Sequence, residues 1–145
     1  MKYILLNLTV LFLLPFAPLH AEDDGQTIAL AKSGRALCQI VAAPDGIEAY
    51  AAKTLADYLK EMTGAEFPVV SPSEYKADRP AIFVGLSEPA LARLGPEPLA
   101  KLRDQEHVAR SIGPDILLYG KGHRASLAAA MEFLENSLGW QWFSV

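Results

Sequence analysis

The chain has 145 residues, 51% of them apolar and 21% charged, with 17 acidic against 13 basic side chains and a formal net charge of -4. That composition excludes a disordered chain or a collagen-like repeat, and Lys and Arg scattered among carboxylates exclude the basic stripe that a nucleic-acid binder needs. A single cysteine excludes an intrachain disulfide, so the core has to come from apolar burial.

Lys2 and the amino terminus precede an apolar run over residues 3–16, broken by Asn7, Thr9 and Pro15, and Leu19-His20-Ala21 closes the run with a small residue. This is the layout of a signal peptide over residues 1–21, too short for a bilayer span of about 20 apolar residues. The expected product is a single exported domain, periplasmic or extracellular and without a stable membrane anchor, over residues 22–145. Its 124 residues (145 minus 21) are enough to bury about two-thirds of the unfolded surface. Loss of Lys2 leaves 12 basic against 17 acidic side chains, a balance of -5. Cys38 follows Arg35-Ala36-Leu37 rather than the leader, so no lipid anchor is expected. Its expected role is that of a small hydrophobe buried on a strand, with no nearby His or helix N-terminus to activate it.

After the acidic Glu22-Asp23-Asp24, read as a frayed terminus, two apolar runs at 27–31 and 37–41 flank Lys32-Ser33-Gly34-Arg35 and read as a hairpin. A helix is expected over Gly46–Thr63, with Asp45 and Glu48 as a capping box and Gly64 as its stop. Ile47, Ala51, Leu55, Tyr58, Leu59 and Met62 share its core side. Residues 67–70 form a strand that Pro68 places at an edge, and Ala81–Val84 form an almost wholly apolar, central strand.

Ser87 caps a short helix ending at Leu94 before Gly95-Pro96, and a polar loop with one helical turn follows to Asp104. Residues 108–112 and 116–119 flank Gly113-Pro114-Asp115 as a hairpin. The last helix spans about 123–137, with Leu127, Ala130, Met131, Phe133, Leu134 and Leu138 as its apolar stripe and Gly139 as its cap. Trp140, Gln141, Trp142 and Phe143 read as a terminal strand. The fold class is α+β: a mixed β-sheet with two main amphipathic helices packed on one face.

Little in this pattern carries chemistry. His107 and His123 have no partner at metal-ligand spacing, so no metal site is expected, and no cofactor either. Gly85 follows a strand and precedes a helix, but neither a dinucleotide fingerprint nor a phosphate-binding loop surrounds it. Ser111, Ser126 and Ser137 lie in strand or helix contexts rather than on a strained turn, so no acyl-transfer nucleophile is expected. Glu132 and Glu135, near Arg124, are the best carboxylate pair. Neighbours on one exposed helix face cannot flank a sugar, and they read as solvated. Trp140 and Trp142 share a side of the terminal strand and are the candidate ligand-binding residues, able to stack on sugar rings, whereas Trp142 and Phe143 read foremost as core.

The tail Phe133-Leu134-Glu135-Asn136-Ser137-Leu138-Gly139-Trp140-Gln141-Trp142-Phe143 resembles the helix-to-strand ending of the non-catalytic N-terminal domain of bacterial α-glucuronidases and related glycoside hydrolases. Tyr58-Leu59 with Met62-Thr63-Gly64, then Ile82-Phe83-Val84-Gly85, then Ile116-Leu117-Leu118-Tyr119-Gly120 are similar, in the same order, to that family's first helix, central strand and last strand before the final helix. The resemblance covers residues 27–143. It implies a mixed sheet covered on one side by two helices, as in the domain preceding the barrel of β-hexosaminidases. Arg124-Ala125 stands where the family has Arg-Gly, residues 128–130 are Ala where it has an aromatic-containing run, and Gln141 replaces its Arg.

In the family a catalytic barrel follows and carries the acid and base carboxylates, whereas here Ser144 and Val145 follow, so no catalytic residue maps onto this chain. The implied function is an accessory domain of a secreted hydrolase of polysaccharide or xylan, its implied partner that barrel in cis. The alternative is a free-standing exported module that binds glycan or protein.

Overall fold

The computed structural model describes residues 28–139. The leader at 1–21, the acidic Glu22-Asp23-Asp24, and the terminal residues Trp140, Trp142 and Phe143 lie outside the described residues. The chain opens with a small hairpin, β1 (Ala31–Lys32) against β2 (Arg35–Ala36), joined by Ser33 and Gly34 at φ +54° and +73°. Positive φ at both central residues is the geometry that lets a two-residue turn follow the twist of its strands.

The second apolar run does not continue this hairpin. After Leu37 donates its N–H to the Leu30 carbonyl at 2.8 Å, the chain bends, and β3 (Gln39–Ala42) enters a different, five-stranded sheet. All four β3 residues are buried, and a two-stranded ribbon would have left one face of them in water. Cys38 is buried at the bend rather than on a strand, with its Sγ–H 3.8 Å from the Leu30 carbonyl.

The main sheet has the order β4-β3-β5-β7-β6, in which β4 (Val69–Val70), β3, β5 (Ala81–Val84) and β7 (Asp115–Gly120) are parallel and β6 (His107–Ile112) is antiparallel to β7. The apolar strand expected to be central is the middle one, and the strand weakened by Pro68 is a two-residue edge. Alternation sorts the buried residues. Ile40, Ala42, Ile82, Val84, Ile116 and Leu118 face one core, while Val41, Phe83, Leu117 and Tyr119 face the other.

The first core lies under α1 (Gly46–Thr63) and α4 (Ala125–Glu132), the latter prolonged by a π-helical turn over Phe133–Ser137. These are the two main helices expected on one face. α1 has the expected bounds, and Gly64 at φ +72° returns its N–H to the Lys60 carbonyl at 2.7 Å. α4 differs from expectation at its start, because Gly122 at φ +118° and Arg124 are not helical. Its buried face is Ala125, Ser126, Ala129, Ala130, Phe133 and Leu134, while Leu127 and Met131 are half-buried. Small side chains turned inward let α4 sit close to α1 and to the sheet. The closest approach is at Gly120, where a Cβ would strike the Glu106 carbonyl and lie 2.7 Å from the Ala125 Cβ.

The second face is covered by two short helices, α2 (Glu88–Leu94) and α3 (Glu97–Ala100). The polar contact that ties α2 to the sheet comes from a residue expected in a turn. Asp115 is the first residue of β7, paired with Ile112, so only Gly113 and Pro114 make the turn. Its carboxylate, 6% exposed, accepts the Ala81 N–H at 2.9 Å and the Arg93 Nε–H of α2 at 2.9 Å. Arg93 also donates to the Tyr75 hydroxyl at 3.0 Å, and the Tyr75 ring meets Phe83 edge to face at 5.3 Å. Through these contacts the Asp115 carboxylate ties α2 and the preceding loop to the second core.

Candidate functional site at the carboxyl edge of the sheet

β3 leads into α1 on one face and then into β4 on one flank. β5 leads into α2 on the opposite face, and the chain then reaches β7 on the other flank. The carboxyl ends of β3 and β5 therefore form a topological switch point, where connections diverge and open α/β sheets leave a crevice for ligands. Residues 43–48, 85–87 and 120–126 border it.

The crevice is occupied by the protein itself. Glu48, in the first turn of α1, lies across Gly85, and a Cβ on Gly85 would sit 2.7 Å from Glu48 Cγ and 3.5 Å from its Oε1. Gly85 has φ +89°, so both its backbone and the space above it require glycine. The hydroxyl of buried Ser126, in the first turn of α4, donates to Glu48 Oε1 at 3.5 Å. The carboxylate thus stands at the first turns of two helices, α1 and α4.

This replaces the expected capping box. Asp45 is the N-cap residue but makes no side-chain cap bond, and Glu48 reaches toward the sheet instead of back to the N-cap. Ser87 likewise precedes α2 without a side-chain cap bond, and its hydroxyl is shielded from water with no partner among the described residues.

The other candidates separate. Glu132 Oε2 is 2.8 Å from His107 Nε2 on β6, and its Oε1 accepts from Asn136 Nδ2 at 3.4 Å, while Glu135 is exposed. Both carboxylates lie at one helix end, and Glu132 is tied to His107 rather than solvated beside Arg124. His123 and Arg124 are exposed, and Lys121 pairs with Asp104 at 2.8 Å, a hydrogen bond that holds the Asp104 carboxyl below its usual range.

Burial pushes the Cys38 thiol up to about 12, with Arg79 only partly opposing it, so no thiolate is available at neutral pH. No group of three or more His, Cys, Asp or Glu converges on a common point among the described residues. Trp140 and Trp142, the candidate ligand-binding residues, lie outside the described residues.

Sequence reasoning missed Glu48, Asp115 and Arg93. Glu48 had a local reading, as half of a capping box, that hid its long-range one, and Asp115 beside Gly-Pro reads as a turn. Neither Arg93 nor Ser126 carries a local signal, because their partners are 18 or more residues away in sequence. A scan against protein-family models and a search among curated proteins return no match for this chain.

Proposed function

We propose that this chain is the accessory, non-catalytic N-terminal domain of a secreted glycoside hydrolase of the α-glucuronidase type, acting in polysaccharide or xylan breakdown beside a catalytic barrel. The observation that carries this reading is the filled crevice: where a sheet of this topology would hold a ligand, Glu48 packs on Gly85 and meets Ser126. The motif residues behind the family resemblance have packing roles that suit such a domain. Gly64 ends α1, Gly85 admits Glu48, and Gly120 admits α4.

The test is an assay of the purified chain on aryl glycosides and glucuronoxylan, beside a binding measurement with an α-glucuronidase-type barrel stripped of its own N-terminal domain. No product release together with binding to the barrel is expected. Turnover by this chain alone that is lost on Glu48→Gln or Glu132→Gln overturns the reading, and tight binding of xylo-oligosaccharides without any affinity for the barrel favours the free-standing binding module.

A further inference from the structure

Five aspartates lie among the described residues, and four of them have a cationic neighbour. Asp57 pairs with Lys53 at 2.6 Å, Asp104 with Lys121 at 2.8 Å and Asp115 with Arg93 at 2.9 Å, while Asp78 stands 3.9 Å from Arg79. The fifth, Asp45, is exposed and has neither a hydrogen bond nor an ion pair among the described residues. A cap bond would have pinned its carboxyl to an N–H of the first turn of α1, and that bond is not made.

The following residue separates Asp45 from the others again. Asp57, Asp78, Asp104 and Asp115 precede Tyr58, Arg79, Gln105 and Ile116, whereas Asp45 precedes Gly46. A Cβ on the following residue crowds any attack by its nitrogen on the preceding side chain, and glycine has none. Gly46 is open as well as bare: a Cβ built on it would meet only Glu48 Oε2, at 3.9 Å. As the first residue of α1 it has an N–H without an acceptor inside the helix.

We propose that Asp45-Gly46 is a site of spontaneous backbone rearrangement to isoaspartate in the folded protein. In the carboxylic acid form of Asp45 the Gly46 nitrogen attacks Cγ; the N–Cγ bond forms, the Cγ–OH bond breaks, and the hydroxyl leaves with the amide proton as water. Water then opens the resulting succinimide. Cleavage at Cγ restores aspartate, and cleavage at the former main-chain carbonyl leaves the chain running through the Asp45 side chain, with no net change in mass. Asp45 is extended, at φ −141° and ψ 174°, so ring closure requires rotation about its Cα–C bond, which fraying of one helix end permits. The product adds a main-chain methylene three residues ahead of Glu48, at the border of the crevice that Glu48 fills. The rearrangement does not depend on the glycoside-hydrolase reading.

Ageing of the full chain for several weeks at neutral pH, followed by a tryptic map, tests this. Cleavage after Arg35 and Lys53 releases residues 36–53, in which Asp45 is the only aspartate, and the sequence's other Asp-Gly pair, Asp24-Gly25, falls in a separate peptide. An isomer of the 36–53 peptide, equal in mass and bearing isoaspartyl fragments, should accumulate above the level of an unaged sample. Its rate should lie within about tenfold of that in a synthetic 36–53 peptide, because opening a helix end costs little. Asp45→Asn, which closes the same ring by losing ammonia, should reach the same product faster. A native chain that leaves residues 36–53 unaltered, or converts them more slowly than that, overturns the proposal. So does isoaspartate arising first at Asp57, Asp78, Asp104 or Asp115.

Discussion

Glu48 and Gly85 fit one another as a pair of side chain and missing side chain. Gly85→Ala adds a Cβ 2.7 Å from Glu48 Cγ on a backbone at φ +89°, and it should cost about 2 to 4 kcal/mol from clash and backbone strain together. Glu48→Ala in the same chain removes the clash but not the strain, so urea melts of the two single variants and the double variant should show non-additivity of about 1 kcal/mol or more. Cys38 gives a prediction of opposite character. It should resist aromatic disulfide reagents at pH 8 in native protein and react at once in urea.

The pH dependence of Cys38 follows from the raised native value. Below pH 9.0, the ordinary value of the thiol, both states keep the proton and stability is unaffected. From there to about 12 the unfolded chain loses the proton and the native one does not, so stability falls as pH rises, by up to about 1.4 kcal/mol per pH unit. Cys38→Ala should flatten that part of the stability profile relative to wild type.

At the scale of elements, α1 and α4 meet through small residues: Ala51, Ala52, Ala129 and Ala130 are all fully buried in the first core. A leucine at Ala130 has no room without separating the helices from the sheet, and Ala130→Leu should destabilise by about 1 to 3 kcal/mol. Leu127→Ala, at a half-buried position, should cost less, which distinguishes the observed buried face from the stripe expected on a helical wheel. On the second face, the short helix α2 is held by Ala90 and Leu94 in the second core and by the contact of Arg93 with Asp115. Asp115→Ala strands the Ala81 N–H and leaves Arg93 without its anion, at a cost of about 2 to 3 kcal/mol. Asp115→Asn keeps an acceptor for Ala81 and should cost less. Arg93 is 42% exposed, so water compensates it in part, and the larger share of the loss belongs to the buried N–H.

Across the whole molecule, the two cores are the two faces of the same strands. β3, β5 and β7 send alternate residues to each core, and neither face can lose its cover without exposing strands that the other needs. Asp115→Ala on one face and Ala130→Leu on the other should therefore lower a single transition, with far-ultraviolet circular dichroism and the near-ultraviolet signal of the tyrosines moving together. Two separated transitions would show that the short helices form a unit of their own.

What the sequence determined by itself is the part written in local periodicity and punctuation. The eighteen residues of α1 with Gly64 as their stop, the central position of Ala81–Val84, the marginal strand after Pro68 and the two helices on one face all follow from apolar spacing, Gly and Pro. What the tertiary structure decided are the matters in which a local signal competes with a distant partner. The run at 37–41 reads as half of a hairpin until two parallel neighbours pair with its edges and the helices on either side of the sheet cover both of its faces. Glu48 reads as a cap until Gly85 and Ser126 are brought beside it, and Asp115 reads as a turn until Ala81 and Arg93 supply its two donors. In each case the local alternative is worth about 1 kcal/mol, and burial with satisfied hydrogen bonds across the sheet outweighs it.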